Sequence, residues 1–163
     1  MRIRRAVESD LATLERFIRD LAHYERALES ARATPDQLRQ SFFGESPLVH
    51  CEIAETDEGE AAGFAVWFVN YSTWTGTHGV YLEDLFVRDE YRGRGIGTAL
   101  LRHLAQVCVT RGYARLQWSV LDWNTPSIDF YRSLDAEAQD EWTVFRLSGS
   151  ALEHAAQGDG AFD

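Results

Sequence analysis

The stretch Arg92-Gly93-Arg94-Gly95-Ile96-Gly97 decides the fold, because of the segments on either side of it. Residues 81–87 before it are apolar and aromatic, as in a β-strand, and residues 98–110 after it carry apolar side chains at helical spacing. A glycine-rich turn therefore leads from a strand into the N-terminus of a helix. The first-turn N–H groups of a helix lack intrahelical partners, glycines allow close backbone approach, and arginines suit phosphate. We expect this turn to bind a pyrophosphate or another polyanion.

The spacing of the turn separates it from two better-known phosphate sites. No Lys-Ser or Lys-Thr pair follows the glycines, which excludes a P-loop. A dinucleotide fingerprint counted from Gly93 and Gly95 would need its third glycine where Thr98 stands. The pattern Arg-Gly-x-Gly-x-Gly instead resembles the pyrophosphate loop of the GNAT family of acetyl-CoA-dependent N-acetyltransferases.

Length and composition describe one ordinary globular domain. The chain has 163 residues, 45% of them hydrophobic, and a formal net charge of −10. No apolar run approaches a membrane span, and the acidic balance argues against nucleic acid and anionic membranes as partners. We expect a cytoplasmic protein, without a secretory signal, in which Cys51 and Cys108 are buried thiols.

Hydrophobic periodicity gives the order strand, two helices, three strands, helix, strand, helix, strand, with a short terminal helix. The strands fall near residues 3–6, 49–55, 61–70, 80–87, 116–121 and 142–147, and the helices near 8–28, 35–43, 98–110, 126–131 and 148–156. This order predicts a mixed α/β fold, α+β-like, with flanking helices. The GNAT resemblance implies a central, mostly antiparallel, twisted sheet of about seven strands, one of them near residues 136–137. We expect a single domain over residues 1–156 and a frayed tail over 157–163.

The segment Asn124-Thr125-Pro126-Ser127-Ile128-Asp129-Phe130-Tyr131 is the second informative motif. Pro126 favours the first turn of a helix, and Asn124 can cap that turn, so an aromatic-rich helix with an ordinary cap is one interpretation. The segment also resembles an Asn…Phe-Tyr element of the GNAT family. That resemblance implies that Asn124 and Ser127 bind the cosubstrate and that Tyr131 lies near its sulfur. A phenol is protonated at neutral pH and can donate to a leaving thiolate.

Two acidic residues, Glu83 and Asp84, interrupt an apolar strand. In a regular strand they would point to opposite faces, so one carboxylate should face the buried side. A pair of partly exposed strand acids is the alternative. The GNAT resemblance implies that this strand lies beside the acetyl group, that the backbone of Leu85-Phe86-Val87 binds pantetheine, and that Glu83 accepts a proton from the incoming amine.

Taken together, the motifs resemble the diamine, or spermidine/spermine, acetyltransferase group. The resemblance rests on Tyr81–Val87, Tyr91–Gly97, Asp122–Tyr131 and the N-terminal Leu21-Ala22-x-Tyr24-Glu25. It implies that Arg92, Gly93, Arg94, Gly95, Ile96 and Gly97 hold the pyrophosphate of acetyl-CoA. It also implies that the amine site is lined by Tyr24, Glu25, Glu83, Asp84 and Asp140.

Three departures from that group concern the substrate side. Asp135 stands where the group has a glycine, although Asp is among the few residues that tolerate a positive φ. Asp140 stands where a longer glutamate is usual, and the adjacent Glu141 is the alternative for that position. Residues 49–64 form a shorter segment than in the animal enzymes.

The predicted function is acetyl-CoA-dependent N-acetylation of small primary amines by direct transfer in a ternary complex. Glu83 and Tyr131 are the predicted catalytic residues. Within enzymes, the alternatives are thialysine, another amino acid or a protein amine as acceptor. A non-catalytic acetyl-CoA sensor is the alternative from another class. The histidines show no metal-ligand spacing, so no metal is expected, and the resemblance implies a homodimer and a small cationic amine as partner.

Overall fold

The computed structural model describes residues 1–157. The chain divides into two compact units, Met1–Ser119 and Val120–Asp163. Among the described residues, no helix is both long enough and apolar enough to cross a membrane.

The first unit is a five-stranded sheet with three α-helices. Its elements, in chain order, are β1 (Arg2–Arg5), α1 (Leu11–Tyr24), α2 (Pro35–Phe43), β2 (Val49–Glu55), β3 (Ala61–Ser72), β4 (Thr77–Val87), α3 (Ile96–Arg111) and β5 (Leu116–Trp118). The strands lie in sequence order, and all neighbours are antiparallel except β4 and β5, which α3 connects in parallel. The predicted mixed α/β class and mostly antiparallel sheet are confirmed.

Helices cover both faces of this sheet. Phe17 of α1 packs against Phe64 of β3 and Phe86 of β4, with ring centroids 5.4 and 5.8 Å away. Val66 belongs to the same core cluster, whereas the next residue, Trp67, lies beneath Arg111 of α3, whose Cζ is 5.6 Å from the indole ring. Because successive strand residues point to opposite faces, α1 and α3 cover opposite sides of the sheet.

Local signals place most helix ends where the sequence predicts them. Pro35 opens α2 behind a Thr34–Gln37 capping box, and Gly44 ends it. Gly112, in the left-handed region at φ 66°, ends α3. Cys51 and Cys108 are buried free thiols, as predicted, and burial raises the pKa of both.

The first predicted helix ends four residues earlier than expected. It was predicted to reach about residue 28, but α1 stops at Tyr24, and Arg26 adopts a left-handed conformation with φ 58°. The N–H groups of Arg26 and Ala27 return to the carbonyls of His23 and Ala22, which is the Schellman arrangement. Because Arg26 is not a glycine, nothing in the sequence marks the end of the helix there.

The second unit contains α4 (Thr125–Arg132) and α5 (Ser150–Gln157). Two predicted strands, near residues 136–137 and 142–147, do not form, so the described sheets have five strands rather than seven. Val144 and Phe145 are 82% and 92% exposed instead of facing a core. A strand needs a neighbouring backbone to pair with, and a run of aromatic and β-branched residues alone does not supply one. The predicted tail lies outside the described residues except Gln157, which ends α5.

Candidate functional site

The glycine turn has the backbone geometry of an anion site. After β4 the chain makes a short 3₁₀ turn, Asp89–Tyr91, and reaches the N-terminus of α3, where Gly95 is the N-cap. Gly93 and Gly95 have φ values of 72° and 78°, which disfavour other residues. A Cβ at either position would meet no atom within 4 Å, so open space lies beside both. The first-turn N–H groups of α3 can therefore meet a ligand that carries negative charge.

The two arginines of the turn have different environments. Arg94 lies with its Cζ 5.3 Å from the ring centroid of Tyr91, and Arg88 lies 5.2 Å from the same ring. The Tyr91 hydroxyl donates a hydrogen bond to Glu60 in the turn between β2 and β3. Arg92 instead turns back toward the end of β4, where its Nε donates to the carbonyl oxygen of Val87 over 2.9 Å.

A β-bulge at Glu83 changes how β4 presents its acids. Asp84 pairs with Val66 and Leu82 pairs with Trp67, so Glu83 has no partner on β3. Because Val66 and Trp67 face opposite sides, the bulge sends Leu82 toward α3 and Asp84 toward the α1 side. The predicted division into one inward and one outward carboxylate is present, with Asp84 half-buried and Glu83 exposed.

Three predicted substrate residues form a carboxylate cluster in the first unit: Glu25, Glu83 and Asp84. Burial, as the largest cause, and the negative charges of Glu83 and Glu25 together raise the pKa of Asp84 to about 6. Burial also raises the pKa of Glu25. Partly buried carboxylates that repel one another favour either a proton or an added cation.

A cleft of about 760 Å³ lies between the C-terminal end of α1 and the start of the glycine turn. Tyr24, predicted for the amine site, and Phe86 and Arg92, predicted for the cosubstrate site, all line it. The structure therefore brings residues from both predicted sites to one cavity of the first unit.

The outer edge of β4 is open where the sequence predicts pantetheine binding. β5 pairs with β4 only from Val80 to Leu82, and within residues 1–157 no further strand pairs with this edge. The side chain of Phe86 packs into the core, with Phe64 6.4 Å away between ring centroids. The backbone of residues 85–87 thus borders an unpaired edge of the sheet.

The second unit holds the remaining predicted site residues. Asn124 is only 5% exposed, and its Oδ1 accepts the N–H of Ser127 over 3.4 Å, which caps α4. Tyr131 lies in the last turn of this helix, where its carbonyl accepts the N–H groups of Leu134 and Ala136. Asp140 is exposed in an irregular segment between α4 and α5.

Asp135 lies in the turn that follows α4, at the position where the resemblance implies a glycine. Its φ is 60°, and its N–H donates to the carbonyl of Arg132. Asp135 thus adopts the positive φ that aspartate is among the few residues to tolerate. With the Ala136 N–H bound to the Tyr131 carbonyl, the end of α4 is a Schellman motif.

Sequence reasoning missed the residues that support the turn. Tyr91 was noted only as part of the motif, and Glu60 and Arg88 were given no role. Glu60 lies 31 positions before Tyr91, so no local pattern links them. Among residues 1–157, no group of three His, Cys, Asp or Glu side chains is arranged to hold a metal ion.

Known proteins with similar sequences and structures share this architecture. The family described as "Acetyltransferase (GNAT) family" matches residues 14–135. Thialysine N-epsilon-acetyltransferase of Bos taurus is 38% identical over 164 residues, which cover 94% of this chain and 96% of that protein. Spermidine/spermine N(1)-acetyltransferase-like protein 1 of Homo sapiens is 34% identical over 92% of this chain, but over only 23% of its own length.

A solved structure has a similar backbone fold. An integron cassette protein from the mobile metagenome of V. cholerae superimposes with a TM-score of 0.80 at 27% identity, and the match covers 96% of this chain and 97% of that one. Since the family match spans most of the chain and the bovine relative aligns nearly from end to end, the chain belongs to the acetyltransferase (GNAT) family.

Proposed function

We propose that the protein is an acetyl-CoA-dependent N-acetyltransferase of small primary amines that carry more than one positive charge. The observation that carries the proposal is the cluster of Glu25, Glu83 and Asp84 beside the cleft-lining Tyr24. Burial, and after it the negative charges of Glu83 and Glu25, raise the pKa of Asp84, and a multiply charged amine relieves the repulsion among the three carboxylates.

The residues of the first unit fit acetyl-CoA. The positive φ values of Gly93 and Gly95, and the open space beside both, leave room for a pyrophosphate at the start of α3. Residues 92–97 hold that group, and the backbone of residues 85–87 binds the pantetheine arm. By the resemblance of their motif, Asn124 and Ser127 also bind the cosubstrate. When bound, acetyl-CoA supplies an acetyl thioester that is already reactive toward a neutral amine.

Four acidic side chains and one tyrosine are proposed to transfer protons and to bind the cationic amine. Glu83, exposed on its bulge, accepts the proton that the ammonium must lose, directly or through water. Asp84 and Glu25 hold the remaining cationic part of the amine, with Asp140 as a further candidate. A backbone N–H at Phe86 or Val87 stabilises charge that develops on the carbonyl oxygen. The Tyr131 Oη donates a proton to the departing thiolate, so transfer is direct, in a ternary complex.

The names of the relatives indicate which amines to consider as acceptors. The matched proteins are named for thialysine and for spermidine/spermine, and a further relative from Arabidopsis thaliana is named for L-ornithine, with 41% identity over 92 residues. We therefore include amino acids that carry a side-chain amine together with diamines in the proposed class. The matched family span, residues 14–135, crosses from the first unit into the second, which supports one acetyltransferase domain.

Removal of one hydroxyl tests the mechanism. Tyr131→Phe should lower kcat roughly a hundredfold, the lower end of the range for a lost general acid, because a thiolate leaves easily. Its Kd for acetyl-CoA should stay close to the original. Tyr71→Phe removes the hydroxyl of an exposed tyrosine and is the matched control. Equal kcat values for the two variants would remove Tyr131 from the mechanism. If the protein binds acetyl-CoA but acetylates no amine, the alternative of a non-catalytic acetyl-CoA sensor would be favoured.

We also propose a cytoplasmic homodimer. Four apolar side chains between residues 142 and 147 are exposed in the second unit: Trp142, Val144, Phe145 and Leu147. A contiguous exposed apolar segment marks an interaction surface, which supports self-association. Sedimentation velocity should give a dimer that Phe145→Ser weakens, whereas Leu48→Ser, at a residue that is 82% exposed in the first unit, should leave it intact. A monomer at all concentrations would contradict the homodimer.

A further inference from the structure

The side chain of Arg92 contacts two separate elements of the first unit. Its Nε donates to the carbonyl oxygen of Val87, and its Nη2 lies 2.9 Å from Oδ1 of Asp89. The Cζ lies 4.9 Å from the ring centroid of Tyr24 and 5.8 Å from that of Phe86. One guanidinium thus joins the last residue of α1 to the end of β4.

These contacts differ from those expected of an arginine whose only role is to bind phosphate. Arg94, two residues later, stacks on Tyr91, which belongs to the same turn. Arg92 makes its hydrogen bond and ion pair at the end of β4 and in the 3₁₀ turn, and its Cζ lies over the ring of Tyr24 in α1. A lysine could not do all of this, because a single ammonium lacks both the planar face and the fork.

The position of Tyr24 gives this link a consequence for the substrate. Glu25, the next residue, interacts electrostatically with Asp84, so the end of α1 helps to form the carboxylate cluster. The backbone of Gly93 follows Arg92 directly and starts the cosubstrate turn. A single residue therefore connects the turn that binds acetyl-CoA to the elements that bind the amine.

We propose that Arg92 is a positioning residue. It holds the C-terminal end of α1, with Tyr24 and Glu25, in a fixed position relative to the glycine turn that binds acetyl-CoA. This inference rests on the proposed function and adds to it a coupling between the two substrates. Binding of acetyl-CoA orders the turn and, through Arg92, fixes Tyr24 and Glu25, so each substrate raises the affinity for the other by the same factor.

Kinetics of three variants test the coupling. Arg92→Lys keeps the positive charge but loses the fork and the stacking face, and Arg92→Ala loses everything. Both should raise the KM of the amine at saturating acetyl-CoA by about two- to fivefold, the value of an exposed cation–π contact. Arg94→Ala, the matched control in the same turn, should raise only the KM of acetyl-CoA.

The sign of the effect separates positioning from simple electrostatics. Removing the positive charge of Arg92 would weaken its repulsion of a cationic amine, so a purely electrostatic role predicts a lower amine KM in Arg92→Ala. A lower or unchanged amine KM in both Arg92 variants would overturn the proposal. It would leave Arg92 as a phosphate ligand alone.

Amide hydrogen exchange provides a readout that needs no substrate. Without ligand, Arg92→Ala should speed exchange of the amides of residues 21–27 about two- to fivefold, while Arg94→Ala should not change it. Adding Arg92→Ala to Tyr24→Leu should then have no further effect, because the contact is already lost. Unchanged exchange in Arg92→Ala would overturn the link even if the enzyme proves active. Faster exchange in a protein that acetylates no amine would retain the link and refute the proposed function.

Discussion

Replacing Asp84 with asparagine should make the protein more stable and less able to bind its amine. The carboxyl group is half-buried on the α1 side of β4 and faces the negative charges of Glu83 and Glu25. Its pKa rises from 3.8 to about 6, so the folded protein resists its ionisation. Asparagine has nearly the same shape without the charge.

The size of the effect follows from that pKa. A rise from 3.8 to about 6 corresponds to at most about 3 kcal/mol of lost stability when the group is fully ionised. Because the carboxyl remains partly accessible, solvent screens the repulsion, and we expect about 1–2 kcal/mol. For a chain of this length that is about 3–6 °C in Tm.

The pH dependence has a definite sign. An acid whose pKa is raised on folding costs stability above the folded pKa, and the cost disappears as pH falls below the unfolded value. Asp84→Asn should therefore raise Tm at pH 8, and the gain should shrink through about pH 6 and vanish near pH 4.

Thermal unfolding across this range is the assay, with Glu58→Gln as the control. Glu58 is exposed in the turn between β2 and β3 and loses the same charge, so it should change Tm little at any pH. In turnover, Asp84→Asn should raise the amine KM. A lower Tm at pH 8, or a gain that persists unchanged at pH 4, would refute the reasoning.

Three further changes have expected outcomes. Gly95→Ala should cost about 1–2 kcal/mol by urea unfolding because its φ is 78°, and calorimetry should show weaker CoA binding; full stability would contradict the strain. Asp135→Gly should raise Tm by about 2–3 °C because the position has φ 60°, whereas Asp135→Ala should lower it. Asp10→Asn should lose about 1–3 kcal/mol at pH 7, because Arg4 binds this half-buried carboxylate through two hydrogen bonds of 2.6 and 2.8 Å. Arg4 lowers the pKa of Asp10, so this contribution is lost as pH falls below about 4, and urea unfolding at pH 3 should show a smaller difference.

Local chemistry made much of the fold predictable. The glycines at 93 and 95, the Pro35 start of α2 and the Gly112 end of α3 each depend on residues within a few positions. The left-handed turn at Asp135 was predictable for the same reason.

Features that depend on distant partners were not predictable. The bulge at Glu83 arises from the register of β4 against β3, which no stretch of β4 encodes alone. Arg92 was assigned to phosphate because its motif indicates it, but its side chain contacts Tyr24, 68 positions earlier. Residues 142–147 are rich in aromatic and β-branched residues, as strands are, yet they pair with no strand among the described residues.

The most direct test of the central claim compares putrescine with butylamine as acceptors. Both present a primary amine on four carbons, and only putrescine adds the second positive charge that Glu25, Glu83 and Asp84 are proposed to bind. With purified protein and saturating acetyl-CoA, release of CoA thiol should favour putrescine at least about tenfold in kcat/KM, equivalent to about 1.4 kcal/mol. Equal values for the two amines, or no release with either amine or with thialysine, would contradict the account.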